Sequence, residues 1–475
     1  MRRRTLWVLV SAIGVLAIGI VVGAIALRPP VLAVPSQGLV LSDVTIVNPG
    51  LDRRSHQTLT VRGAKIDHIS DSSIHDPETA STRRFAGAYV LPGLIDMHVH
   101  FASDPDRELF GLLFLVHGVT TVRDTGNFDG TIWETRQQIL AGKFPGPRLF
   151  ACGPILDGDP PLWPGSRVVR NAAEARTAVA EVAAKGADCV KVYTNLSAPA
   201  LTAVREAAAQ RGLPVIGHVP IAVPFEEAHL ADAQHLMGVP PPPQRPDAPL
   251  VDWMVTAWQD LDTARIETIV RTSVEQGIAH TPTLVVAHHL SRFFDPQQQD
   301  PTARLLPRYY REVLWSPQDG LPYLRELSAE SVAVLGKATV KMKTVVRRLH
   351  EAGVRIHAGS DTPNPFVVPG ASLQEELYHL VDAGLTLEEV WATATRVAGE
   401  SLGEPELGTV QEGAPADFLI FRDDPTRDLA ALSTLAAVVA QGRLYPKEIL
   451  DAALARHRAH FESPVYDAVS MAITR

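Results

Sequence analysis

The sequence predicts an α/β fold: a (β/α)₈ TIM-like barrel with a small β-sandwich domain built from both ends of the chain, preceded by an N-terminal transmembrane helix. Three observations carry this. Strand-like and helix-like runs alternate from about Leu91 to Gly399, β-rich runs flank that region on both sides, and a long uncharged run follows the opening Met-Arg-Arg-Arg. Alternation of this kind argues for βα units with parallel strands. The expected division is an anchor or signal segment at 1–30, a small β-domain from 31–90 and 400–445, the barrel at 91–399, and a C-terminal helix or tail at 446–475.

In chain order, the first element is Leu6 to Leu27, 22 residues without a charge. As a helix it would extend about 33 Å, enough to cross a hydrocarbon layer of roughly 30 Å. The three arginines belong on the cytoplasmic side, which places the body of the chain outside, held to the membrane by the helix. The alternative is a secreted protein whose signal peptide is cleaved near Ala24-Ile25-Ala26, although the apolar run exceeds the usual signal core. Next come "GLVLSDVTIVN" and "TLTVRGAKIDHI", β-rich runs punctuated by Gly, Asn and Asp, matched near the far end by "ADFLIF" and "AAVVAQGRL".

Eight candidate barrel strands begin near Gly93, Val119, Arg148, Asp188, Pro214, Asp232, Ala279 and Arg355. Asn171/Glu174, Ser372/Glu375 and Thr386/Glu389 read as capping boxes, and Ser197 as a helix cap. The stretch from about Ser291 to Leu349 reads as extra helices. At 475 residues, with 46% apolar and 20% charged residues and a net charge of −9, the chain is an ordinary globular protein without a basic nucleic-acid surface. Two cysteines, Cys152 and Cys189, make no disulfide framework. They are free to pair if the chain is exported, and Cys189 otherwise reads as core.

The segment "VLPGLIDMHVHF" ends a buried strand in two histidines. Residues i and i+2 of a strand face one side, so His98 and His100 can aim at one ion at the C-terminal end of a barrel strand, where sites on this fold lie. The pair alone is a weak signal. Lys191 in "DCVKVY", His218 in "PVIGHVP", His235 in "DAQHLM" and Asp361 in "IHAGSDTP" also fall at strand ends. Each has a plain structural reading: a snorkelling lysine, hydrogen-bonded core histidines, a turn aspartate. Five strand ends carrying such residues together point to a metal site.

Those motifs, with "GVTTVRDTG" and the closing "LGTVQEGAPADFLIF", resemble the amidohydrolase superfamily, in the imidazolonepropionase-like and Xaa-Pro dipeptidase (prolidase)-like group. The resemblance spans about Gly38 to Leu444. It implies that His98, His100 and Asp361 bind one divalent ion, His218 and His235 a second, and a carboxylated Lys191 bridges them. Histidine nitrogens and carboxylate-type oxygens suit Zn²⁺ at both positions. A shared hydroxide would attack an amide carbonyl, with Asp361 shuttling the proton to the leaving amine. Tyr193, two residues beyond Lys191, would contact substrate or merely plug the barrel mouth. Arg123 and Asp124 either reach the rim or form a structural salt bridge.

Two departures narrow the activity. Deaminases of this superfamily carry His-x-x-Glu at the fifth strand and lack the bridging lysine; here Val-Pro-Ile follows His218 and Lys191 is present. Imidazolonepropionase proper is a one-metal enzyme without that lysine. The expected substrate is a small molecule, an Xaa-Pro dipeptide or an N-acyl amino acid. The alternatives are a lactone, cyclic amide or carbamate at the same site, or a membrane-tethered binding protein without catalysis. A homo-oligomer is compatible with the sequence.

Overall fold

The computed structural model describes residues 28–72, 82–85, 87–127, 130–241, 254–295 and 301–474. The expected membrane span at Leu6–Leu27 lies outside the described residues. Among those described, no helix is long and apolar enough to cross a membrane.

Leu39–Asn48, Asp52–Arg62 and Lys65–Asp71 form an antiparallel meander. Tyr89–Pro92 runs parallel to the first of them and antiparallel to Phe418–Phe421. Leu435–Ala440 and Arg443–Pro446 continue the sheet antiparallel from there, while Thr82–Arg84 pairs with Leu39–Asn48. The sandwich expectation is corrected here: all eight strands belong to one hydrogen-bonded sheet. That sheet curls until Gln37 bridges Arg443 and Lys65 bridges Pro415. Alternate residues Leu39, Leu41, Val90, Phe418, Ile420, Ala437 and Val439 bury one shared core. A twisted sheet with a single apolar face hides that face by rolling up, so no second sheet is needed. The last hairpin turns on Gln441 and Gly442, both at positive φ (51° and 74°), the two-residue turn whose twist matches the strands.

The barrel wall begins with Leu94–Val99, Val119–Asp124 and Arg148–Ala151, all parallel. A second parallel run comprises Val190–Val192, Val215–Gly217, Asp232–Gln234 and Ala279–Thr281. The Asp188 N–H donates to Ala151 O at 2.9 Å and joins the two runs. At the same seam Cys152 and Cys189 are disulfide-bonded, packed against Ile216. The pairing that the sequence left open is therefore made, and Cys189 is core as well as bridge. Leu156–Asp157 and Arg167–Val168, two short strands absent from the sequence reading, extend the second run beside Val192.

The eighth strand, expected near Arg355, is not regular. Ile356 bridges His280 and Thr362 bridges Val99, and between these points the chain leaves the ladder. It still closes the ring, because Met97 N–H donates to Ala358 O (3.0 Å) and Asp361 N–H to His98 O (2.7 Å). Gly359 explains the detour: a Cβ there would lie 2.6 Å from Thr281 Cγ2 and 3.1 Å from His98 Cβ. The backbone passes close under His98 only because that position is bare, and Asp361 then takes a φ of 61°.

Outside the wall, Asn171 caps the helix Ala172–Ala184, and Thr386 with Glu389 forms a capping box for Leu387–Thr393, as the sequence predicts. Glu174 reaches back to Arg170 N–H instead of closing a box on Asn171. The box expected at Ser372/Glu375 is absent. Gly370 precedes the helix Ala371–Asp382, Ser372 lies inside it, and its Oγ accepts from Val368 N–H at 2.8 Å. The segment after Ser291 contains the 23-residue helix Ala329–Glu351, preceded by short helical turns. Lys447–Phe461 and Pro464–Thr474 are the C-terminal helices.

The Cys152–Cys189 bridge closes a loop of sequence separation 37, for which chain entropy gives a stabilisation of up to about 4 kcal/mol. The double variant C152S/C189S should lose about 2–4 kcal/mol in urea unfolding, and reducing agent should leave its midpoint unmoved while lowering that of the parent. Equal midpoints for parent and variant under oxidising conditions would contradict the bridge.

Candidate metal centre

The six side chains named from the sequence gather at one end of the barrel. His98 and His100 come from the end of Leu94–Val99 and the residue just past it, with their Nε2 atoms 3.3 Å apart. Asp361 Oδ1 lies 3.3 Å from His98 Nε2 and 3.4 Å from His100 Nε2. His235 follows Asp232–Gln234; its ring centroid is 4.5 Å from that of His98 and 4.9 Å from that of His218. Lys191 is wholly buried, and its Nζ donates to the Gln234 amide oxygen.

Each ring but one is oriented by its other nitrogen. His100 Nδ1 meets Gly126 O at 2.9 Å, His218 Nδ1 meets Thr194 Oγ1 at 2.8 Å, and His235 Nδ1 meets Thr283 Oγ1 at 2.7 Å. Among the described residues, His98 Nδ1 is buried without a hydrogen-bond partner. Of the three oriented rings, His100 turns its Nε2 toward His98 and Asp361, while His235 also has its Nδ1 3.7 Å from Asp361 Oδ2. Such contacts on the non-coordinating nitrogen fix tautomer and aim in histidine metal sites.

Burial governs the protonation states. It drives His98 and His218 well below the ordinary imidazole value, with the Lys191 charge adding to the effect. His235 is lowered by burial to about 4, and Lys191 by burial to about 7. His100 also pays the burial penalty but is raised by its contact with Asp361. Burial opposes ionisation of Asp361, yet the neighbouring His235, His100 and Lys191 hold its carboxyl below the usual range. The centre therefore offers largely neutral nitrogens, one amine near neutrality and one firm carboxylate.

This donor set fits a divalent metal. Ligands placed tetrahedrally at about 2.0–2.1 Å from an ion lie roughly 3.3–3.4 Å from each other, the separations that His98, His100 and Asp361 already have. Donor atoms of His98, His235 and Asp361 likewise all lie within 4.8 Å of one another.

Tyr193 stacks on His218 with centroids 3.9 Å apart, and Lys191 Nζ lies 5.6 Å from its ring centre. Burial keeps the Tyr193 hydroxyl protonated. The expected pairing of Arg123 with Asp124 is corrected: Arg123, buried below the site, donates to Met97 O at 2.9 Å and pairs with Asp232 instead. Asp124 accepts from Phe101 N–H (3.0 Å) and Ala102 N–H (2.8 Å), fixing the chain just after His100. Sequence reasoning missed Gln234, Thr194, Thr283 and the pair Asp96–Ser360, whose hydrogen bonds at 2.5 and 2.9 Å tie the first strand to the loop carrying Asp361. Gln234 is adjacent to His235 in "DAQHLM" and would point away from it in a regular strand. A φ of 57° at His235 ends the alternation and turns both side chains to the interior.

Residues 89–445 match the family model described as "Amidohydrolase family". Among solved structures, a bottromycin amidohydrolase superposes with a TM-score of 0.69 at 24% identity, covering 92% of each chain. An Xaa-Pro dipeptidase with bound methionine in the active site gives 0.65 at 19% identity, over 86% of this chain and 100% of that one. A prolidase complexed with N-methylphosphonate-L-proline gives 0.64 at 21%, over 86% and 99%. At these identities the likeness establishes the fold. No curated protein matches the chain.

Lys191 sets a pH dependence in the metal-stripped chain. Its folded value near 7 lies below the 10.5 of the free side chain, so between those limits the unfolded chain holds the extra proton and stability rises with pH. Relative to K191M, the stripped parent should gain up to about 1.4 kcal/mol per pH unit from about 7 to 10. Parallel stability curves for the two proteins, measured by urea unfolding, would contradict a buried, near-neutral amine.

Proposed function

This chain belongs to the amidohydrolase family, a metal-dependent hydrolase of carbon–nitrogen bonds, and from that premise we propose that it cleaves the amide of a small substrate, an Xaa-Pro dipeptide or an N-acyl amino acid. The observation that carries the reading is the approach of His98, His100 and Asp361 to within 3.3–3.4 Å of one another beside a buried lysine. The likeness in fold to an Xaa-Pro dipeptidase and a prolidase supports this choice of substrate class.

In this reading His98, His100 and Asp361 would hold one divalent ion and His218 and His235 a second, with Lys191 as a carbamate between them. Zn²⁺ is the favoured metal for this nitrogen-rich set. When bound, the ions supply Lewis acidity and lower the pKa of water to near neutrality. The chain supplies the rest. Lys191, brought near 7 by burial, has an appreciable neutral fraction at physiological pH, the form that can capture CO₂. Asp361, held ionised by its neighbours, accepts the proton of the attacking water and delivers it to the departing nitrogen. Tyr193 keeps its hydroxyl proton and can donate it to the carbonyl oxygen or to the substrate carboxylate.

We also place the body outside the cytoplasm, anchored through Leu6–Leu27. The arginine-flanked apolar run supports this, as does the Cys152–Cys189 bridge, a bond that persists in oxidising compartments.

A dipeptide library assayed against the purified chain tests the substrate class. Turnover of Xaa-Pro or acylated amino acids is expected, with D361N lowering kcat by about 10²–10⁴-fold. K191A should lose bound metal together with activity while keeping its circular dichroism. Failure to turn over any dipeptide or N-acyl amino acid, with full metal content, would redirect the reading to a lactone, cyclic amide or carbamate.

A further inference from the structure

Outside the barrel mouth, a second group of donors lies between two helices. Leu284–Leu290 follows the seventh barrel strand, and Ala371–Asp382 follows the irregular eighth. Glu375 and His379 are four residues apart on the latter helix, so they share one face. His288 reaches toward them from the former helix. Donor atoms of these three residues all lie within 4.8 Å of one another. His288 Nε2 and His379 Nε2 stand 3.8 and 3.7 Å from the same oxygen, Glu375 Oε1.

Ion pairing alone does not account for this arrangement. Both imidazoles are beyond hydrogen-bond distance of the oxygen they face. His379 is 8% exposed, and its Nε2 is buried with no hydrogen-bond partner among the described residues. The other carboxylate oxygen, Oε2, is engaged separately by His289 Nε2 at 2.9 Å. That contact orients the carboxylate from behind, in the way outer groups orient a metal-bound carboxylate.

We propose that His288, Glu375 and His379 form a further divalent-metal site, distinct from the barrel centre, that takes an ion of the Zn²⁺ class. Two imidazole nitrogens and one carboxylate oxygen suit Zn²⁺ better than Mg²⁺ or Ca²⁺, which prefer all-oxygen shells. Three protein ligands leave one position for solvent, and the 35% exposure of the His288 side chain gives it access. The ion would pin together two helices already joined through Glu376, whose carboxylate accepts from Leu284 N–H (3.0 Å) and Val285 N–H (2.7 Å). Thr283, which orients His235, is the residue just before that pinned turn. The site thus steadies the support of a barrel histidine without touching substrate. It does not depend on the proposed substrate.

The test counts ions in two backgrounds. The full-length chain and H288Q/H379Q are stripped with chelator, reloaded with Zn²⁺, desalted and analysed by mass spectrometry for metal; the variant should hold about one ion per chain fewer. Separately, H98Q/H100Q, damaged at the barrel centre, is titrated with Zn²⁺ by calorimetry, with and without added E375Q. A binding event that E375Q abolishes is expected. The half-exposed single variant H288Q serves if the double variant does not fold, and should likewise weaken Zn²⁺ binding. Equal metal content in parent and H288Q/H379Q (or in parent and H288Q), or calorimetric heats unchanged by E375Q, would overturn the proposal, whatever the dipeptide assay gives.

Discussion

A lysine sealed inside a barrel, with one amide oxygen as its hydrogen-bond partner among the described residues, cannot hold a full charge cheaply. The surroundings of Lys191 follow from that constraint. The burial that brings its amine near 7 also strips protons from His98, His218 and His235. Neutral imidazoles and a neutral amine repel one another little, so they can be packed together. Asp361 stays ionised, because its contacts with His235, His100 and Lys191 outweigh its own desolvation, and the contact with Asp361 in turn raises His100. A pocket of lone pairs with one negative charge is complementary to a small dication. Beneath it, the Arg123–Asp232 pair is internally compensated and pinned by Met97 O and Thr281 Oγ1, so the floor need not borrow charge from the site.

The donors reach their places by departures from regular β-structure. His98 is still in a strand, but His235 and Asp361 have φ of 57° and 61°, and Thr283, which supports His235, has 47°. Such conformations cost non-glycine residues energy and persist where their surroundings over-determine them. Here the determinants are visible: Asp361 N–H bonds His98 O, His235 N–H bonds Thr281 O, and Asp96 grips Ser360 from the first strand. Val215–Gly217 and Asp232–Gln234 each end just before a donor, His218 and His235. The irregular eighth strand is therefore part of how the carboxylate arrives beside two histidines, with Gly359 giving it room.

This also explains what the sequence made legible. His98 and His100 could be paired because i, i+2 alternation holds through Val99, and Lys191 with Tyr193 for the same reason. Gln234 and Thr283 were not legible, because alternation fails at His235 and Thr283 themselves. The curled sheet was readable as two β-rich ends of the chain, but its closure depends on contacts such as Gln37 with Arg443, more than 400 residues apart. Glu375 was misassigned for a local reason. A Ser-x-x-Glu pattern looks like a cap wherever it stands, whereas Gly370 moves the helix start two residues earlier and frees Glu375 to face His288, His289 and His379.

Aromatic side chains gather beside the donors. Tyr323 donates its hydroxyl to Asn364, three residues past Asp361, and burial together with the nearby Asp361 and Tyr193 keeps that hydroxyl protonated. Trp163, from the loop beyond the third strand, packs against Tyr323 at 6.4 Å between centroids. Tyr193, Tyr323 and Trp163 thus come from three separate segments and converge above the donors. Their faces offer apolar contact, and their polar tips offer proton donors with no positive charge. A substrate recognised there would place a short apolar or cyclic side chain against the rings and its carbonyl over the imidazoles. The Tyr323–Asn364 hydrogen bond ties this aromatic cluster to the segment that carries Asp361.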